Sequence, residues 1–447
     1  MTSRTPALRS MGRMAPALLL LLLTTACASA RSGAPQPSPL SGAYRFDDGR
    51  LMTISPTGES SFRYRDLKSG DTGRLNPAGG LVYRSTEDEE PPLDVRFHQE
   101  GTRVTGLAWK PKDGAESTAV RLPLREEEIR FRNGDVELYG KLVLPAEGDG
   151  PFPLVVLVHG SENTAATLFH HRQYQFPATG VAAFVYDKRG TGKSTGKFTM
   201  QFPILAGDVV AAVERLRTHP KIDGERIGLA GYSQGGWVAP LAASRTPHVK
   251  FVLVGYGMLE PAAQEDRLEI HRILREKGFG DEDVRKADEV IDAAYEVMKS
   301  DMKEGWEEAG AVKRKYKNEP WAPLLRDRVS GGFLRYPHWL LRTPWARSRM
   351  LIVSWFHESL PVLEKLDIPM LWVLGGKDIE APNEVTIAEL ERLRSSGKPF
   401  ETKIYPDADH GILEFEEKDG ERVYTGYSPG YFELETEWVR KQAGLGG

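Results

Sequence analysis

Residues 227–243 read as an apolar strand, a sharp turn and a helix. The chain runs Ile227-Gly228-Leu229-Ala230-Gly231-Tyr232-Ser233-Gln234-Gly235-Gly236 and continues into an apolar helical stretch at 237–243. A serine thrust above the end of a strand needs a turn that tolerates little bulk on either side, hence Gly231 and Gly235. The helix start then directs backbone N–H groups and the positive dipole end toward the serine's surroundings. G-x-S-x-G alone is common by chance. Between a strand and a helix it marks Ser233 as a nucleophile, with the Gln234 N–H as an expected oxyanion donor.

The surrounding sequence repeats this alternation from residue 127 onward. Strand-like runs at 128–132, 136–144, 154–158, 181–186, 227–231, 251–255, 370–374 and 401–405 are separated by helical segments. That pattern predicts a mostly parallel sheet covered by helices. One stretch, 258–350, interrupts it with amphipathic helices. The first buries Leu268, Ile270, Ile273 and Leu274; the second starts at Asp281 as N-cap and lines up Val284, Ala287, Ile291, Ala294 and Met298.

These segments, together with Tyr186-Asp187-Lys188-Arg189-Gly190-Thr191-Gly192-Lys193-Ser194, resemble the α/β-hydrolase superfamily over residues 127–443. The nearest likeness is to secreted bacterial esterases of the dienelactone-hydrolase-like branch, close to serine aminopeptidases. The resemblance implies an α/β-hydrolase fold with an eight-stranded sheet and a helical lid at 258–350. It also implies the order Ser, Asp/Glu, His along the chain. Asp378, in Gly375-Gly376-Lys377-Asp378-Ile379-Glu380-Ala381-Pro382, takes the acid position, with Glu380 as runner-up. His410 takes the base position: of ten histidines it alone lies on a loop after a strand downstream of both. Asp407 and Asp409 are too close to it in sequence to receive its Nδ1–H and read as turn residues. The second oxyanion donor falls on the Ser161 N–H, after His159-Gly160, and His159 takes a structural role.

Ahead of this domain, residues 41–125 show short alternating runs separated by turns, with Asp47-Asp48-Gly49 as a hairpin signal. A small antiparallel β domain is expected, serving as packing or lid support. Residues 1–30 read as a secretory signal with Arg4, Arg9 and Arg13 before a short apolar run. Leu23-Thr24-Thr25-Ala26-Cys27 resembles a bacterial lipobox, which would make Cys27 a lipidated N-terminus. The competing reading is cleavage after Ala28-Ser29-Ala30, giving a freely secreted protein. Residues 31–40, rich in Pro, Ser and Gly, read as a tether.

The remaining features exclude more than they assign. With 59 basic against 63 acidic residues and a net charge of −4, no basic field points to nucleic acid. Gly192-Lys193-Ser194 is not a phosphate loop, because Asp187 stands where the first glycine is required. No metal or cofactor is expected, and His170-His171 lacks companions at ligand spacing. The expected activity is ester hydrolysis of a small acyl substrate through an acyl-enzyme. A serine aminopeptidase or thioesterase is the alternative, and a non-catalytic, surface-anchored binding protein the opposing class. Membrane contact is expected only through the lipid anchor, in the periplasm or at the outer membrane. Trp306, Trp321, Trp339, Trp345 and Trp355 read as a small core for the insertion, or else as an aromatic substrate pocket.

Overall fold

The computed structural model describes residues 38–85, 93–112, 114–418 and 420–446. The expected signal, Cys27 and residues 31–37 lie outside them. Contacts divide the described residues into a helical unit at 263–352 and a larger unit formed by 38–262 and 353–446.

In the larger unit, eight antiparallel strands come first: β1 (Gly42–Phe46), β2 (Leu51–Pro56), β3 (Phe62–Asp66), β4 (Thr72–Gly79), β5 (Val82–Arg84), β6 (Leu93–Glu100), β7 (Arg103–Pro111) and β8 (Ser117–Arg121). They close into a barrel, with β1 pairing to both β2 and β8. Closure removes the exposed edges an open sheet would carry. Alternating residues such as Tyr44 and Phe46, Met52 and Ile54, and Val95 and Phe97 fill the interior. Tyr83 meets Phe62 and Phe97 edge-on at 5.4 and 5.5 Å. The expected tether is corrected at its end. Leu40 is buried in the barrel core and its carbonyl accepts from Tyr44 Oη at 2.7 Å, because one leucine at the barrel's end gains more from burial than from solvation.

The second sheet has the order β16-β15-β14-β13-β11-β12-β10-β9. Its strands are β9 (Arg125–Asn133), β10 (Val136–Leu144), β11 (Phe152–Val158), β12 (Ala182–Tyr186), β13 (Ile222–Tyr232), β14 (Val249–Gly255), β15 (Met370–Gly375) and β16 (Phe400–Tyr405). β10 is antiparallel to its neighbours, while β11 to β16 are parallel. Every residue of β11 is buried, as expected for a strand covered on both faces. Since β11 lies between β12 and β13, the strand order reverses there. The crevice beyond the carboxyl ends at such a point is where these sheets bind ligands.

After β16 comes a small antiparallel sheet that the sequence reading did not anticipate: β17 (Ala408–Asp409), β18 (Leu413–Lys418) and β19 (Glu421–Tyr427). It ties the barrel to the sheet. The Tyr427 N–H donates to the Gly70 carbonyl at 3.0 Å, and the Gly430 N–H to the Lys68 carbonyl at 3.1 Å. Leu67 of the barrel joins the core that contains Val155, Ala230 and Leu371.

The helical unit is built on helices Ala262–Glu276, Asp281–Lys299 and Trp306–Tyr316. The N-cap of the second is Gly280, not Asp281; Asp281, Glu282 and Asp283 occupy the first turn, where their charges complement the helix dipole. Ile270 and Leu274 are buried as expected, while Leu268 and Ile273 are only partly covered. Trp306 and Trp321 are buried core residues, but Trp339 and Trp345 are exposed, and Trp355 belongs to the other unit. Asp266 is buried and accepts from the Val329 N–H at 3.0 Å, the Ser330 N–H at 3.2 Å and Ser330 Oγ at 2.7 Å.

Candidate active site

Ser233 stands at the end of β13 with φ at +52°, in the left-handed region that side chains with a Cβ avoid. The turn is held because the Ser233 N–H donates to the Gly255 carbonyl at 3.0 Å, and the Gly236 N–H to the Ser233 carbonyl at 2.7 Å. Any Cβ on Gly235 would lie 2.1 Å from the Val158 carbonyl oxygen, so helix Gly235–Ala243 approaches β11 only with glycine there. Strain at one residue, fixed by its surroundings, is characteristic of functional turns.

The loops after β15 and β16 bring two further side chains to this serine. His410 Nε2 is 3.1 Å from Ser233 Oγ, and His410 Nδ1 is 2.9 Å from Asp378 Oδ2. Asp378 is buried, and its other oxygen accepts from the Glu380 and Ala381 N–H groups at 3.0 and 2.8 Å. Those bonds aim the carboxylate at the imidazole. The loops can meet this closely because a Cβ on Gly376 would fall 2.6 Å from the Pro406 carbonyl.

Glu380 is not on the Nδ1 side. Its carboxylate lies 3.7 Å from His410 Nε2, beside the serine. Asp407 is exposed and pairs with Lys377 at 2.9 Å. Asp409 departs from the expected solvated turn residue, being wholly buried. It accepts from the His410 and Ile379 N–H groups at 2.7 and 3.1 Å, from Tyr424 Oη at 2.9 Å, and pairs with Arg422 at 2.7 Å. Burial pushes its carboxyl up, but Arg422 and these donors prevail and hold it below the usual range. It thus locks the His410 loop to the Asp378 loop.

Among the described residues, the Ser161 and Gln234 amides have no acceptor. Gln234 opens helix Gly235–Ala243, and Gly160 lies against Ser233, where a Cβ would sit 3.4 Å from the serine Cβ. The carbonyl of the Gly160–Ser161 peptide accepts from buried Lys188 Nζ at 2.6 Å. Because a peptide is planar, fixing that C=O fixes the direction of the Ser161 N–H. Burial pushes the Lys188 ammonium down to about 8, against the opposing pull of Glu162. Sequence reasoning passed over Lys188; its only signal was its place in the loop after β12. His159 is buried, with Nε2 2.9 Å from the Tyr186 carbonyl. Desolvation, with the Lys188 charge, lowers its pKa. It is directed into the strand ends rather than at the serine. Asp187 is likewise buried and accepts from Thr167 and the Lys193 N–H, shaping the loop rather than a ligand site.

A strained serine turn at the reversal point of a mostly parallel sheet, facing a carboxylate-bound imidazole, defines the serine hydrolases of the α/β-hydrolase class. Within that class the chain belongs to the X-Pro dipeptidyl-peptidase (S15) family, whose model matches residues 133–410. It is 31% identical over 129 residues to a thiohydrolase of Arthrinium phaeospermum, covering 28% of this chain and 41% of that protein. It therefore spans well under half of that relative. It is 25% identical over 339 residues to esterase EstD of Thermotoga maritima, covering 72% of this chain and 69% of that protein. A similar solved structure is the Pyrococcus furiosus esterase Pf2001, at 16% identity and TM-score 0.42, covering 72% of this chain and 92% of that one.

Proposed function

We propose that this chain is a carboxylic ester hydrolase that works through an acyl-enzyme on Ser233. The observation that carries the reading is the relay from Ser233 Oγ to His410 at 3.1 Å and from His410 to Asp378 at 2.9 Å. His410 takes the serine proton as the hydroxyl attacks the acyl carbonyl. Asp378 holds the imidazole tautomer and stabilises the imidazolium. The Ser161 and Gln234 N–H groups receive the oxyanion, each worth roughly 3–4 kcal/mol in the transition state. His410 then protonates the leaving alcohol and activates the water that releases the acid. The relatives described as an esterase and a thiohydrolase support an oxygen or sulfur ester over an amide.

Amide cleavage is the second reading, favoured by the peptidase family whose model the chain matches and by one observation of the site. Glu380 lies beside His410 Nε2, and Glu162 lies next to Gly160 in the loop after β11, which packs against Ser233, so two carboxylates flank the nucleophile where a substrate amine could bind. The test is a panel of acyl esters of graded length, matching thioesters, and aminoacyl amides, run beside labelling by a fluorophosphonate. Turnover of esters with labelling at Ser233 is expected. Turnover of amides alone would select the second reading, and no labelling of intact protein would leave a non-catalytic binding protein.

For location we propose export and a lipid anchor at Cys27. Palmitate labelling that is lost in Cys27→Ala is the expected result, and a mature N-terminus at Arg31 would overturn it.

A further inference from the structure

The barrel sends into the larger unit's core a cation that the proposed chemistry does not use. Arg65, on β3, donates from Nη1 to Ser55 Oγ at 3.0 Å and from Nε to Tyr427 Oη at 3.4 Å. Both partners are neutral. Among the described residues no carboxylate pairs with it; after burial, the Tyr427 oxygen bears most on it and favours its charge, while Arg63 and Arg172, of its own sign, oppose it. The buried acid Glu435 is already taken, accepting from Arg172 Nε at 3.1 Å and Nη2 at 3.2 Å. A guanidinium does not shed its proton, so enclosing it without an anion is costly.

Arg65 is enclosed without being sealed. Arg65, His170, Tyr256 and Tyr427 are each largely covered by protein. Each nevertheless keeps accessible surface. Contacts tie them into one partly open recess: Arg65 reaches Tyr427, the Tyr427 ring lies 6.3 Å from Tyr431, Arg172 lies over both Tyr431 and Tyr232, and His170 stands 5.8 Å from Tyr232. Tyr256 connects it to the nucleophile, its ring meeting His410 edge-on at 4.9 Å and the ring of Tyr232, the residue before Ser233, at 5.8 Å. The recess is electropositive. Burial raises the Tyr427 phenol, yet Arg65, Arg172 and Arg63 outweigh it and leave the phenol below its usual range. The Nδ1 atoms of His170 and His171 are buried there with no partner among the described residues, and Arg65's charge acts on both rings.

We propose that Arg65 binds a carboxylate carried by the substrate, so that the natural substrates are esters with an anionic end. The proposal rests on the esterase reading of the Ser233 site. An anion there would compensate a charge that the protein leaves unpaired, and would fix one end of the substrate while its acyl carbonyl meets Ser233.

The experiment compares esters matched in length with and without the charge. Naphthyl hydrogen adipate beside naphthyl hexanoate places the carboxylate on the acyl side; the butyryl ester of 4-hydroxybenzoate beside phenyl butyrate places it on the leaving side. For one pair the wild-type kcat/KM ratio, anionic over neutral, is expected to exceed about 10 and to fall with added salt. In Arg65→Gln that ratio should collapse by about tenfold or more, with Arg65→Lys retaining part of it. Ratios at or below one for both pairs in the wild type would overturn the proposal without need of a variant. So would a wild-type ratio that Arg65→Gln leaves intact. Neutral esters turned over without preference sink the proposal alone, whereas silence on every ester sinks the esterase reading with it.

Discussion

Lys188 carries no reacting atom, yet its ammonium holds the Gly160 carbonyl and through it the plane of the Ser161 N–H. Losing an oxyanion donor outright costs roughly 3–4 kcal/mol, and misaiming one costs part of that. Lys188→Met should therefore lower kcat by about 10- to 100-fold with little change in KM, read from steady-state kinetics on a neutral ester. Ser233→Ala is a different case, since it removes the proposed nucleophile itself. There kcat should fall by something on the order of 10⁶, and the fluorophosphonate label should vanish with it. The same elbow turn persists in that variant, because Gly231, Gly235 and their neighbours are untouched.

Elements show what the sequence could and could not convey. The strand, elbow and helix around Ser233 were legible because each requirement is local: an apolar run, glycines at fixed offsets, a helix start. Asp378 and His410 were legible because each sits on a loop directly after a strand. Asp409 and Lys188 were not, since their partners, Ile379 and Gly160, lie 30 and 28 residues away and no periodicity reports such pairs. Barrel closure was hidden for the same reason: alternation shows that strands exist but not that β1 meets β8. Asp266 is another invisible contact, joining helix Ala262–Glu276 to a loop 63 and 64 residues on. An Asn there would present an NH₂ to donors at one of its ends. Asp266→Asn should thus destabilise the helical unit by about 1–3 kcal/mol, seen as faster amide exchange at Val329 and Ser330.

The loop and short helices after β11 carry three histidines, His159, His170 and His171, whose pKa values are all lowered, first by burial and then by nearby cations. The unfolded chain takes up protons at these positions below about pH 6.5, while the native one resists. Their contribution to stability is therefore complete above that pH and is lost on acidification. Melting temperature should fall from pH 7 to pH 5, and His159→Gln should flatten that slope even if it lowers the value at pH 7.

Across the whole larger unit, the barrel does not sit on the sheet as a separable module. Leu67 lies in the core of the sheet domain, and the 67–70 turn is hydrogen-bonded to the end of β19 and the loop after it. That docking depends on Gly70, which has φ of +83° and would carry a Cβ only 2.2 Å from the Tyr427 carbonyl oxygen. Left-handed backbone costs a residue with a Cβ about 1–2 kcal/mol, and forced overlap adds about 1–3 kcal/mol. Gly70→Val should then lower the melting temperature of sheet and barrel together. Scanning calorimetry on the wild type should give one endotherm for the two; separate endotherms would mean that the barrel folds alone and that its contacts with Tyr427 contribute little. If the two melt as one, the same variant should also weaken the preference for anionic esters, since Arg65 reaches Tyr427 only while the barrel stays docked.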